Sequence, residues 1–108
     1  SVVGLMGNPG QVNYSSSKAA LVGMARSITR EVGARGITAN VIAPGFITTD
    51  MTDELRDDTK KQYEATIPAK RFGATDDVAA AAVYLASDAA GYVSGAVLPV
   101  DGGLGMGH

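Results

Sequence analysis

Two short apolar runs, residues 37–43 and 96–100, most constrain what this chain can fold into. Pro44-Gly45 stops the first and Asp101-Gly102-Gly103 turns the chain away after the second. A proline has no N–H to continue a strand ladder, so each run reads as one short strand with a defined carboxyl end. Each follows a stretch of helical periodicity. Strands that alternate with helices predict an α/β fold with a parallel sheet and right-handed crossovers.

The first helix is expected from Tyr14 to about Val32, with Asn13 as its N-cap. Leu21, Met24, Ala25, Ile28 and Val32 recur at helical spacing, and Gly33 and Gly36 end the segment. Ahead of it, residues 1–5 read as the end of a strand and residues 4–11 as a loop rich in turn formers. Residues 50–66 are charged and weakly helical, with Met51, Leu55 and Tyr63 as sparse apolar positions. They read as a surface segment or lid. Thr75 is expected to cap the next helix, with Asp76 and Asp77 in its first turn and Val78, Ala81, Ala82 and Leu85 as its buried stripe.

Composition narrows the function classes. The 108 residues are 45% hydrophobic and 19% charged, with a net charge of −2, which gives no basic surface for nucleic acid. There is no cysteine, and the one histidine is His108, so neither a His triad nor a His/Cys metal site is expected. No apolar run is long enough for a membrane span, and no signal peptide is visible. The chain starts without Met inside an apolar stretch, which reads as a piece of a longer protein.

One motif carries chemistry. Asn13-Tyr14-Ser15-Ser16-Ser17-Lys18 places a Tyr and a Lys four residues apart at the start of a helix. Such a pair shares one helix face, with Cβ atoms roughly 5–6 Å apart. A phenol has a pKa of about 10 in water. A fixed ammonium beside it favours the phenolate and makes the Tyr a usable general acid or base. The same pair is also compatible with an ordinary first helical turn. In an open parallel sheet, however, ligands bind beyond the carboxyl ends of the strands. Ser1, the loop from Pro44 to Thr49 and Asp101-Gly102-Gly103 all fall at such ends, on the rim where Tyr14 and Lys18 begin their helix.

Taken in order, Ser1-Val2-Val3-Gly4, Asn13-Tyr14-Ser15-Ser16-Ser17-Lys18-Ala19, Asn40-Val41-Ile42-Ala43-Pro44-Gly45 and Asp101-Gly102-Gly103 resemble the C-terminal half of a short-chain dehydrogenase/reductase. Within that family, four stretches resemble the branch that reduces 3-oxoacyl thioesters carried on acyl carrier protein. They are residues 6–14, residues 35–40, residues 44–51 and Ile67-Pro68-Ala69-Lys70-Arg71. The resemblance covers nearly the whole chain. It implies the C-terminal part of a Rossmann-type doubly wound parallel sheet. Residues 1–108 would be one half of a single reductase domain, with the dinucleotide-binding half absent.

The resemblance also implies roles. Ser1 would hydrogen-bond the substrate carbonyl oxygen, Tyr14 would protonate it, and Lys18 would bond the nicotinamide ribose and lower the Tyr pKa. Pro44, Gly45, Ile47 and Thr49 would line the nicotinamide of NADP (NADPH), with the Ile47 backbone addressing the carboxamide. Residues 50–66 would form a lid over the acyl chain, and Arg35 would help dock an acidic carrier protein. A cytoplasmic homotetramer using the last helix and strand is the implied assembly. The family's glycine-rich pyrophosphate turn, and the residue that selects NADP over NAD, are not in this sequence. A sugar, polyol or acyl-CoA dehydrogenase, or a catalytically silent fragment, are the alternative readings.

Overall fold

The computed structural model describes residues 12–106, setting aside the side chains of residues 12–15 and 51. Helix α1 (Val12–Val32) is followed by a 3-10 turn (Gly33–Arg35) and strand β1 (Val41–Pro44). Two helices come next, α2 (Asp50–Asp53) and α3 (Asp57–Thr66). Helix α4 (Thr75–Ala86), a 3-10 turn (Asp88–Ala90) and strand β2 (Val97–Val100) complete the order. The strands pair in parallel, Val41 with Val97 through Pro44 with Val100. The parallel sheet and its helical crossover are those expected of an α/β, Rossmann-type fold.

Several sequence expectations shift. Helix α1 begins at Val12, so Asn13 lies in its first turn and is not its N-cap. The first strand is shorter than residues 37–43, because the lead-in is held largely by side chains, beside one backbone bond from the Gly95 N–H to the Ala39 carbonyl at 2.8 Å. The Asn40 amide donates to the Val93 carbonyl at 3.0 Å and accepts from the Ala96 N–H at 3.0 Å. The Ser94 hydroxyl accepts from the Ala39 N–H and meets the Thr29 hydroxyl of α1 at 2.9 Å. Regular pairing starts only at Val41, and it runs through Pro44, which takes its place opposite Val100 although it has no N–H to donate.

Ala74, not Thr75, is the N-cap of α4. The orphan N–H of Ala74 is satisfied by the Asp77 carboxylate at 2.7 Å, so the acid three residues on supplies the cap from inside the helix. Val78, Ala81 and Leu85 of the expected stripe are half-buried, whereas Ala82 faces outward.

The apolar face of α1 is largely open. Ala25 is buried, but Leu21 is 43% and Met24 55% exposed. With Ile28 they border a groove of about 320 Å³ whose floor is Ala39, Asn40, Val41 and Ile42. Among the described residues only Ala25, Ala43, Ile67 and Ala90 are buried apolar residues, and Ile67 is the one large side chain among them.

Candidate active site at the carboxyl edge of the sheet

The carboxyl ends of β1 and β2 approach each other closely. The Gly45 N–H donates to the Val100 carbonyl at 3.0 Å, which extends the ladder one residue past Pro44. A Cβ placed on Gly45 would stand 2.6 Å from the Asp101 Cβ and 2.9 Å from its Cα. Only glycine fits there. Asp101 in turn folds the chain behind it: its two carboxylate oxygens accept the N–H groups of Gly103 at 2.9 Å and Gly105 at 3.0 Å. Gly102 and Gly103 both hold positive φ, at 64° and 94°, which the tight turn requires.

Beyond Gly45 the chain makes one further parallel bridge, between Ile47 and Gly73. The Phe46 carbonyl accepts from the Gly73 N–H at 2.9 Å, and the Thr48 N–H donates to the Gly73 carbonyl at 2.8 Å. In a parallel bridge of this hand the central residue turns its own N–H and C=O to the opposite edge. Neither group of Ile47 has a protein partner among the described residues. A free donor and a free acceptor on one residue match the two functions of a primary carboxamide. By that test the residues present fit a nicotinamide. Thr49, next along, caps α2: its N–H meets the Thr52 hydroxyl at 2.7 Å, and its own hydroxyl accepts from the Thr52 N–H at 3.4 Å.

Lys18 is carried toward this edge by α1. Thr29 of α1 lies near Ala39 and Ser94, ahead of the strands, while Leu21 lies beside Ile42. The helix therefore runs against β1, and its amino-terminal turns approach the level of Pro44 and Gly45. Lys18 is half-buried. Positions 14 and 18 stand one turn apart on a continuous helix. The Tyr14 side chain and all of Ser1 lie outside the described residues. Arg35 is exposed in the turn after α1, at the other end of that helix, roughly 25 Å from Lys18 at 1.5 Å per residue. The structure thus gathers Pro44, Gly45 and Ile47 on one rim, gives Thr49 a capping role, and separates Arg35 from them.

A groove of about 290 Å³ adjoins this rim, bordered by Arg71, Gly73, Asp77, Asp101, Gly102 and Gly103. Arg71 pairs with Asp77 at 3.3 Å. The Ala74 N–H and then the Arg71 guanidinium hold the Asp77 carboxyl below the usual carboxylate range. Sequence reasoning missed the part played by Gly73. A lone glycine before a helix gives no sign that it will bridge a loop 26 residues earlier. Phe46, Tyr63 and Phe72 form an aromatic cluster beside the bridge, with ring centroids of Phe46 5.0 Å from Tyr63 and 5.9 Å from Phe72. Among the described residues no group of His, Cys, Asp and Glu is placed to hold a metal ion.

The chain is similar to known proteins along almost its whole length. The family model described as enoyl-(acyl carrier protein) reductase matches residues 1–105. The 3-oxoacyl-[acyl-carrier-protein] reductase FabG of Haemophilus influenzae is 55% identical over 104 residues, which are 96% of this chain and 43% of that protein. FabG of Escherichia coli K12 is 53% identical over 106 residues, and FabG of Staphylococcus epidermidis RP62A 50%. Each of those matches covers 98% of this chain and 43% of the relative, so the chain spans less than half the length of these curated relatives. Sequence motifs in fixed order, a parallel sheet with its glycine-bearing carboxyl edge, and these matches agree: the chain belongs to the short-chain dehydrogenase/reductase family.

Proposed function

We propose that this chain is the catalytic C-terminal half of an NADPH-dependent 3-oxoacyl-[acyl-carrier-protein] reductase of fatty-acid synthesis. The observation that carries the reading is the identity of 50–55% with reductases of that name over nearly every residue of the chain. The unpaired Ile47 backbone at the strand ends supports it. The dinucleotide-binding half precedes Ser1 on this reading. The protein is cytoplasmic and a homotetramer. No helix among the described residues is long and apolar enough to cross a membrane.

When bound, NADPH would supply the hydride for C3 of the oxoacyl group. The chain's own residues manage the oxygen. Ser1 holds the carbonyl oxygen by a hydrogen bond, and Tyr14 passes its phenolic proton to that oxygen as negative charge develops there. Lys18, one helical turn away, stabilises the resulting phenolate and holds the nicotinamide ribose, and solvent returns the proton to Tyr14. Pro44, Gly45, Ile47 and Thr49 would line the nicotinamide. The product is the 3-hydroxyacyl thioester. Arg35 receives the acidic carrier at a distance from the reacting atoms, and complementary charge there speeds encounter.

A second reading follows from the description of the matching family model, which names an enoyl reductase. The two are separated by offering the full-length protein acetoacetyl and crotonyl thioesters with NADPH. Oxidation of NADPH by the first alone is expected. In Tyr14→Phe, kcat on the first should fall at least ~100-fold, as befits loss of a general acid. Turnover near that of the parent in Tyr14→Phe would remove the assignment, and preference for crotonyl thioester would favour the second reading.

A further inference from the structure

The geometry points to Tyr63 as a positioning residue: its ring clamps helix α3 onto the Ile47–Gly73 bridge and so holds the lid over the carboxyl edge of the sheet. This deepens the proposed function and rests on it for the identity of what the lid covers.

The bridge and the clamp are one construction. Phe46 and Phe72 each precede a partner of the bridge, so they occupy neighbouring register positions, and their rings lie 5.9 Å apart. Tyr63 of α3 closes on the Phe46 ring at 5.0 Å with a tilt of 44°. Rings at such spacing and inclination attract beyond the area they cover. The Tyr63 hydroxyl has no partner among the described residues, so the ring makes the contact. Tyr63 as a residue is 41% exposed, with its ring against Phe46.

Little else restrains α3. None of its residues is buried. Its carboxyl end is fixed: Ile67 is 1% exposed, the Ala69 N–H donates to the Gly102 carbonyl at 3.0 Å, and the Lys70 ammonium donates to the Ala65 carbonyl at 2.7 Å. The other end is tied to α2 through Lys60, whose ammonium stands 3.3 Å from the Asp53 carbonyl and 3.8 Å from its carboxylate. Asp53 is well exposed, and a pair of that kind contributes little. The helix is therefore pivoted at Ile67, and Tyr63, one turn from the pivot, is the contact that decides whether it lies down. Because Tyr63 bears on Phe46, the lid's position reaches the backbone of Ile47 through one peptide unit.

Trypsin tests this directly, since Lys60 and Lys61 lie within one turn of Tyr63. In the full-length protein, Tyr63→Ala should raise cleavage at Lys60 and Lys61 on the order of 3- to 10-fold, the shift in closed population that loss of one aromatic pair gives. KM for acetoacetyl thioester should rise by a similar factor, with kcat changed less than about twofold. Tyr63→Phe should restore both readouts. Cleavage of Tyr63→Ala at the parent rate would overturn the clamp, as would Tyr63→Phe behaving like Tyr63→Ala. So would cleavage spread along the chain with a lowered melting temperature, because the ring would then be holding the fold and not the lid. If the parent reduces no 3-oxoacyl thioester, the proposed function fails, while the cleavage readout still tests the clamp.

Discussion

Replacing Gly45 by alanine adds one carbon at the tightest point of the candidate site. That carbon would lie 2.6 Å from the Asp101 Cβ and 2.9 Å from its Cα. Carbon atoms rest at about 3.5–4.0 Å, so the two chains must part by about 1 Å. Neither side yields easily. The Gly45 N–H is bonded to the Val100 carbonyl, and the Asp101 carboxylate is bonded to two backbone N–H groups beyond it. Overpacking at a site that cannot relax costs roughly 1–3 kcal/mol. Loss of the Gly45–Val100 bond adds about 1 kcal/mol. A destabilisation of about 2–4 kcal/mol follows, or a fall in Tm of about 5–15 °C for a protein of roughly 150–250 residues. Urea unfolding of the full-length protein, followed by circular dichroism, measures it. Gly33→Ala is the control, because a Cβ there meets no atom within 4 Å. It should change stability by less than about 0.5 kcal/mol. If Gly45→Ala melts within about 1 °C of the parent, the strand ends are not packed as described and the argument from close approach is refuted.

Three further outcomes can be checked. Asp77 is held ionised in the folded state, so its contribution is complete above the ordinary Asp value of about 3.9 and is lost as pH falls through its lower folded value. Asp77→Ala should lower stability at neutral pH and flatten the dependence of unfolding on pH in that acid window. Unfolding curves with the same acid slope in both proteins would count against it. Residues 1–108 alone should not melt cooperatively as a monomer. Leu21, Met24 and Ile28 stay 43%, 55% and 37% exposed, so each forfeits about half of the roughly 1.5–3 kcal/mol that full burial gives. A sharp two-state transition of the monomeric chain would contradict this. Arg35→Glu should weaken turnover of carrier-linked substrate more than that of a small soluble thioester, and equal losses on both would argue against docking at that end of α1.

Periodicity and punctuation alone determined where the long helices lie and, to within a residue or two, where the strands end. Leu21 to Val32 at helical spacing, Pro44-Gly45 and Asp101-Gly102-Gly103 are local signals, because backbone chemistry acts within a few residues. The spacing of Tyr14 and Lys18 was legible for the same reason. Residues 50–66 were legible as a charged, weakly helical surface segment, but not their division into α2 and α3. What lay beyond the sequence depends on partners distant along the chain. The length of the first strand was set by Asn40 reaching Val93 and Ala96, more than 50 residues away. The cap of α4 is the exception, a local contact in which the Asp77 carboxylate, three residues on, accepts from the N–H of the N-cap residue Ala74. Only the fold brought Gly73 against Ile47, leaving the Ile47 N–H and C=O open at the rim. Glycine, phenylalanine and tyrosine at positions 73, 46 and 63 have no periodicity that relates them. Their meeting is a consequence of the parallel crossover that brings β1 and β2 to the same edge.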